Sequence, residues 1–308
     1  MIIHTWGIAV RNVLSIPVVV FVLAGGLSAA PPLQDTDPMK TATGWARGDK
    51  DGSCTFFNSA TRSLETWTKD FGVTGSLNLS KLDVPPEKWV LDPFGNAWVV
   101  SGAMLYQVGK NGKPGTTVRL PGEVVDLGWG TKGFFLLYRG AETYLEKRDY
   151  TKASLLWSSG RKPKASDGGA VAAPIAADRL VVSEDGNVLL TNGSSLSLSS
   201  FDGNKGNPLG ETVFTLNNTA APSLSLGGKE RGDLGWWLGK SVVMAAVPAS
   251  QMPNEKKSGL LLARLDLAAG SVEFIPTGVT EDFKLIGVIE TEAVLMKPSG
   301  GLIFVPVR

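Results

Sequence analysis

The stretch from Asp92 to Gln107, DPFGNAWVVSGAMLYQ, sets a tight Asp/Gly/Asn turn before an apolar run, a glycine break and a second apolar run. Ser183 onward reads SEDGNVLLTNGSSLSLSSFDGNKG, the same layout closed by a further Gly/Asn/Lys turn. Gly128 onward, GWGTKGFFLLYRGAETYLEKRDYTKASLLW, keeps the rhythm with other residues. Short apolar runs punctuated by Gly, Asn and Asp are strand and turn signals, so each unit reads as a β-meander. Repetition of such a unit constrains the fold more than any other feature. One unit cannot bury its apolar face alone, whereas stacked copies can.

Carried in both directions, the rhythm places second strands near Cys54, Ala97, Phe134, Val188, Val242 and Ala293. Third strands fall near Leu64, Met104, Thr143, Leu196, Leu260 and Leu302. The unit is about 37 to 54 residues long, close to the period of four-stranded propeller blades. The pattern therefore predicts an all-β chain forming a six-bladed β-propeller over residues 42–308, with five or seven blades as neighbouring solutions. A lone four-stranded sheet would expose two edges and an apolar face, and packing blades around an axis removes most of both. Composition agrees: 43% hydrophobic and only 19% charged residues, with 37 Gly and 18 Pro to make turns. The last unit stops at GLIFVPVR, after its third strand. Residues 31–41 are accordingly expected to serve as a linker or as the strand that closes the ring. Three insertions, Arg161 to Asp178, Asn217 to Gly232 and Pro248 to Ser258, interrupt the rhythm and read as loops.

Residues 1–30 have a separate character. MIIHTWGIAVRN carries one Arg, the run VLSIPVVVFVLAGGL follows, and SAAPP supplies small residues. This is the layout of a secretory signal peptide cut after Ala30, and the run is short and broken by Pro17 and Gly25-Gly26. The expected location is periplasmic or extracellular, with no stable membrane span after cleavage; a retained anchor is the alternative. The chain has 30 basic and 29 acidic residues, and loss of Arg11 with the leader makes the two equal. That balance offers no electrostatic reason to expect nucleic acid as a partner. Cys54 is the only cysteine, so no intramolecular disulfide forms, and within the run CTFF it reads as a small buried hydrophobe.

The sequence D-P-F-G-N-A-W-V-V-S-G-A-M-L-Y at Asp92 resembles the repeat D-x-x-G-N-x-W of two-component-regulator-type propellers, and is similar to repeats of the NHL and streptogramin-lyase propellers. The resemblance implies a propeller. It also implies catalytic histidine for a lyase, and the only histidine here is His4, inside the expected leader. A histidine-dependent lyase, a Ser-His-Asp hydrolase and a His-ligated metal site are thereby excluded from the mature chain.

Paired carboxylates remain available for a histidine-independent hydrolase or lyase acting on carbohydrates or lactones. Asp126, Asp233 and Glu290 are the acidic residues considered, and each reads as a turn or solvated group. No catalytic residue, metal site or cofactor is assigned. A more unusual feature is Gly-Trp at the first strand of alternate units: Trp45, Trp129, and Trp236 with Trp237. If first strands line a central channel, these indoles could bind a glycan, an aromatic-rich peptide or a cationic group, or they could be packing between blades. The reading is a secreted binding module for a protein, peptide or glycan, monomeric or part of an envelope complex.

Overall fold

The computed structural model describes residues 42–48, 53–68, 72–139, 144–160, 177, 179–191, 197–216, 219–220, 234–237, 240–252, 259–299 and 301–307. The expected leader, residues 31–41, Asp233 and most of the three insertions lie outside the described residues.

Six sheets follow one another along the chain. The first is β1 (Ala42–Gly48), β2 (Cys54–Asn58), β3 (Ser63–Thr68) and β4 (Gly72–Asn78). The second is β5 (Lys88–Leu91), β6 (Ala97–Ser101), β7 (Met104–Val108) and β8 (Pro114–Arg119). The third is β9 (Glu123–Gly130), β10 (Gly133–Arg139), β11 (Tyr144–Arg148) and β12 (Leu155–Ser159). The fourth is β13 (Leu180–Val182), β14 (Val188–Thr191), β15 (Ser197–Phe201) and β16 (Pro208–Val213). Two short strands come next, β17 (Thr215–Leu216) and β18 (Thr219–Ala220). The fifth sheet is β19 (Leu234–Trp237), β20 (Val242–Pro248), β21 (Leu260–Asp266) and β22 (Ser271–Pro276). β17 joins its outer edge, parallel to β22 through Thr215 and Ser271. The sixth sheet holds β23 (Lys284–Ile289), β24 (Glu292–Met296) and β25 (Leu302–Pro306).

Within each sheet, consecutive strands pair antiparallel. The first strands are neighbours from sheet to sheet: β5 beside β9, β9 beside β13, β13 beside β19, β19 beside β23, and β23 beside β1. An apolar core fills every gap between successive sheets. Leu64, Leu79, Trp89 and Val99 join the first to the second, and Trp98, Leu105, Phe134 and Leu136 the second to the third. Phe135, Leu145, Val188 and Leu190 join the third to the fourth; Leu189, Leu198, Val243 and Leu265 the fourth to the fifth. Met244, Leu262, Leu285 and Leu295 join the fifth to the sixth. Cys54, Phe56 and Trp67 pack against Val294, Met296 and Phe304, which returns the sixth sheet to the first. Trp67 stacks on Phe304 at 5.3 Å. The cycle is closed, and the fold is a β-propeller with six blades among the described residues.

This arrangement explains the sequence rhythm. A second strand is covered on both faces, so it reads as an unbroken apolar run: Phe134, Phe135, Leu136 and Leu137 are all fully buried. Outer strands face solvent, and β16 is exposed at most positions. Each of the six expected second-strand residues lies in the second strand of its sheet. Among the third-strand residues, Leu64, Met104, Leu260 and Leu302 lie in β3, β7, β21 and β25, while Thr143 and Leu196 lie outside the described residues.

Candidate functional site

A four-stranded meander has two unlike ends. Connections between first and second strands and between third and fourth strands open at one, here termed the turn end. Connections between second and third strands and from blade to blade open at the other, the crossover end.

The repeated Asp/Gly/Asn turn sits at the turn end and has a structural task. Asp92 Oδ1 accepts from the backbone N–H groups of Phe94 and Asn96, both at 2.8 Å, and its Oδ2 accepts from Asn96 Nδ2 at 2.7 Å. Asn96 Oδ1 then accepts from Lys110 N at 3.1 Å, tying this turn to the one after β7. The turn at Ser183 repeats the device. Asp185 holds Asn187 Nδ2 at 2.7 Å, and Asn187 Oδ1 accepts from Gly203 N at 3.4 Å in the turn after β15. The two turns of a blade are so close that a Cβ on Gly203 would lie 1.8 Å from Gly186 O. These residues make scaffold. Asp202–Asn207 and Asn111–Lys113 are likewise hairpin turns, with Gly206 N donating to Asp202 O and Gly112 N to Gly109 O.

The tryptophans lie on innermost strands of alternate blades: Trp45 on β1, Trp129 on β9, Trp236 and Trp237 on β19. Trp129 stands opposite Phe134, one residue from the end of its strand at the turn end. It is half-buried and packs against the core between the second and third blades. That core is aromatic: Trp98 stacks on Phe134 at 5.4 Å, and Phe134 meets Tyr150 at 5.7 Å. Trp236 and Trp237 stand opposite Val243 and Val242, also at the turn end of their strand. Trp45 falls in the irregular stretch of β1 between the pairs Ala42–Asn58 and Ala46–Phe56. The glycine before Trp236 answers to crowding at the centre. A Cβ on Gly235 would lie 3.0 Å from Val288 Cγ2 and 3.2 Å from Gly287 C on the neighbouring innermost strand.

The three long insertions lie mostly outside the described residues. The strands flanking them, β12 and β13, β16 and β19, β20 and β21, meet their connections at the crossover end. Those described strand ends face away from the turn that follows Trp129.

Carboxylates separate into different roles. Asp126, read from sequence as a turn or solvated residue, is instead buried on β9. Its Oδ2 accepts from Leu180 N at 2.8 Å, a bond from one innermost strand to the next. Burial of this acid is tolerated because a blade interface offers it a backbone donor. Glu290 is exposed at the β23–β24 turn, as expected. Among the described residues, no group of three or more His, Cys, Asp or Glu is placed to hold a metal ion.

Sequence reading missed a set of buried charges in the third blade. Glu146 is 1% exposed and its Oε2 accepts from Arg148 Nη2 at 2.7 Å and Nε at 3.0 Å. Arg148 Nη1 also donates to Ala153 O at 2.9 Å. Burial, reinforced by the Glu146 charge, pushes the Tyr138 hydroxyl far above its ordinary value. On the other face, Lys147 Nζ donates to Gly203 O of the fourth blade at 2.6 Å and lies 5.1 Å from the centre of the Phe135 ring. Burial drives its pKa down, Lys132 adds to the shift, and Asp202 opposes it. In the sequence, Glu146-Lys147-Arg148 looks like a solvated run, and only the alternation of faces along β11 would have flagged it.

No family model matches the chain, and no curated protein matches it by sequence. Solved structures do resemble it. A protein of Bacteroides fragilis described as exported aligns with a TM-score of 0.52 at 10% identity, over 90% of this chain and 94% of its own. Hsv2 of Kluyveromyces lactis, with one loop replaced by a Gly-Ser linker, aligns at 0.50 and 11% identity, over 82% and 75%. A virginiamycin B lyase of Staphylococcus aureus, inactive and in complex with quinupristin, aligns at 0.47 and 10%, over 90% and 98%. The likeness is one of fold. It agrees with the propeller read from the repeats.

Proposed function

We propose that this protein is an exported β-propeller that works as a binding module, taking a protein, peptide or glycan at the tryptophan-bearing turn end of its axis. The observation that carries the reading is the placement of Trp45, Trp129, Trp236 and Trp237 on innermost strands of alternate blades. Indole faces with an N–H at the edge suit sugar rings, aromatic peptides and cationic groups. Trp129 is partly open to solvent there, whereas Trp98 on the second strand β6 is fully buried and donates to Tyr150 O at 3.1 Å. Glycan and peptide arrays probed with the wild type should yield ligands whose capture falls at least about tenfold in Trp129→Ala and Trp236→Ala, roughly 1.4 kcal/mol. Unchanged capture by variants that remain folded would discard this reading.

Export rests on the leader-like residues 1–30 and on the fold shared with a protein described as exported. No helix among the described residues is long and apolar enough to cross a membrane. N-terminal sequencing of the protein recovered from the cell envelope or medium should begin at Pro31. A chain that keeps its first residues would replace the cleaved leader with an anchor.

We further propose that residues 31–41 supply the missing outer strand of the sixth blade. β25 has one strand partner among the described residues, yet its first four residues are no more than 7% exposed, and the first four of β11 and β21, third strands with neighbours on both sides, are likewise buried. The segment precedes β1, which lies beside β23, so its passage to β1 would match the outer-to-inner connection between the other blades. Deleting residues 31–41 should lower the thermal midpoint by several degrees or leave the chain insoluble. Unaltered stability and solubility would refute the assignment.

A further inference from the structure

At the turn end, the second and third blades differ in charge from the fourth. Their four connections, residues 92–96, 109–113, 131–132 and 149–154, carry the exposed Lys110, Lys113, Lys132 and Lys152. The acids there are Asp92 and Asp149, and each is engaged by its own turn. Asp92 accepts from Phe94 N, Asn96 N and Asn96 Nδ2, and Asp149 from the amides of Thr151, Lys152 and Ser154. Among the described residues, none of the four lysines makes an ion pair. Connections 183–187 and 202–207 of the fourth blade reverse the balance, with Glu184, Asp185 and Asp202 against Lys205.

Phe94, at the tip of the first of these turns, is 73% exposed. The turn does not need its ring, because Asp92 and Asn96 make the turn themselves. The corresponding position in the fourth blade is Asp185, which holds Asn187 Nδ2. Hydrogen bonds tie the four connections into one platform. Asn96 Oδ1 accepts from Lys110 N at 3.1 Å, joining the two turns of the second blade. Trp98 Nε1 and Gln107 Nε2 of that blade donate to Tyr150 O, in the hairpin that carries Lys152. Tyr150 Oη then donates to Gly130 O, between Trp129 and the turn that carries Lys132. A platform fixed in this way has little ordering entropy to lose when a ligand arrives.

We infer that this platform takes an acidic peptide segment of a protein partner, its carboxylates against the lysines and an apolar side chain on Phe94 and the open part of Trp129. The inference rests on the binding-module reading and narrows its ligand. Charge complementarity favours an anionic partner, since four ammonium groups face no free carboxylate of their own. Hydrogen-bond chemistry favours a peptide over a sugar. Asp92, Asn96, Asn111 and Asp149 already accept from turn amides, so the platform offers mainly donors and a ring. Carboxylates need donors alone, whereas sugar hydroxyls need acceptors as well.

Fluorescence anisotropy of the full chain with short labelled peptides rich in glutamate and phenylalanine tests this, against counterparts with glutamine for glutamate. The acidic set should bind at least about tenfold tighter than the glutamine set, and its affinity should fall as salt is raised. An exposed ion pair is worth about 0–1 kcal/mol, so the lysines act together, and Lys110→Glu with Lys132→Glu should weaken capture at least about tenfold. Phe94→Ser should also weaken it. Lys205→Glu, the same charge change on the fourth blade, should not. All these side chains are exposed, and circular dichroism checks that the variants fold. Equal capture of the glutamine set overturns the proposal, as does capture indifferent to the platform substitutions, or binding of a polyuronate or of anionic lipid vesicles with none of acidic peptide. A neutral ligand lost in Trp129→Ala but retained in Lys110→Glu with Lys132→Glu would overturn the acidic peptide alone and leave the binding module standing.

Discussion

The core between the second and third blades and the core between the fourth and fifth occupy the same place in the ring and are built from different chemistry. The first stacks Trp98, Phe134, Tyr138, Tyr144 and Tyr150; the second interlocks Val243, Ala245, Val247, Ala263 and Leu265 with Leu189, Leu198 and Phe214. Aromatic filling brings polar atoms into the interior, and each must be accommodated. Trp98 Nε1 donates to Tyr150 O, Tyr150 Oη donates to Gly130 O at 2.9 Å, and Glu146 and Arg148 pair beside Tyr138. The aliphatic core needs no such partners. One scaffold position thus accepts either solution provided volume and polar satisfaction are met, which is why blades repeat in rhythm while diverging in residues.

The largest break in this comparison should come from the aromatic side. Trp98→Ala should cost about 3–5 kcal/mol in urea unfolding, because it opens a cavity and removes the stack on Phe134. Leu265→Ala in the aliphatic core should cost about 2–4 kcal/mol. Trp98→Phe sharpens the contrast. It keeps a ring but drops the donor to Tyr150 O, and should cost about 1–2 kcal/mol. Equal losses for Trp98→Phe and Trp98→Ala would mean that the indole N–H, and not packing, holds this interface.

A smaller effect is expected where one blade's two turns touch. Gly203→Ala should cost about 1–3 kcal/mol by overpacking, since the new methyl would sit 1.8 Å from Gly186 O and backbone must move. An unchanged denaturation midpoint would show that the turn yields freely.

How much of this was legible beforehand follows from the same physics. Second strands such as Phe134–Leu137 and Val242–Val247 stood out because burial on both faces leaves only apolar residues there. Asp92 and Asn96 stood out because their side chains make the turn themselves. The buried Glu146 and Arg148 did not, since a charged pair inside a blade interface has the same composition as one in water. Asp126 failed for a similar reason: its partner, Leu180 N, is a backbone group on another blade, which no spacing along the chain reveals. Leu155 and Leu156 looked like any apolar strand, and their exposure depends on β12 being outermost.

Lys147 tests the cost of charge on the other face of the same strand. Lys147→Ala should cost about 2–3 kcal/mol, losing packing on Phe135 and the bond to Gly203 O, whereas Lys147→Met should stay within about 1 kcal/mol of wild type. The folded-state pKa lies below the unfolded one, so the unfolded chain holds more protons between the two. Stability of the wild type should rise, relative to Lys147→Met, as pH climbs through that window toward about 10.4. A parallel pair of pH curves would mean that the ammonium is as well solvated in the fold as outside it.

The smallest expected effect lies at the turn end, where Asp149 and Asp202 cap equivalent hairpins of the third and fourth blades. Asp202 Oδ1 accepts from Asn204 N at 2.7 Å and Lys205 N at 3.0 Å, and these bonds hold its carboxyl below the usual carboxylate range. For Asp149, burial works the other way, but the amides of Lys152, Thr151 and Ser154 outweigh it and the net shift is again downward. A depressed folded-state pKa stabilises above the unfolded value of about 3.9 and stops doing so as pH falls through the folded value. Asp149→Asn with Asp202→Asn should therefore lower the urea midpoint near neutrality and converge on wild type in acid. Because both turns are open to solvent, the difference should be modest, and it belongs to the two hairpins and not to either core. A deficit that persists undiminished in acid would assign the effect to lost hydrogen-bond geometry, since only the carboxylate charge titrates away.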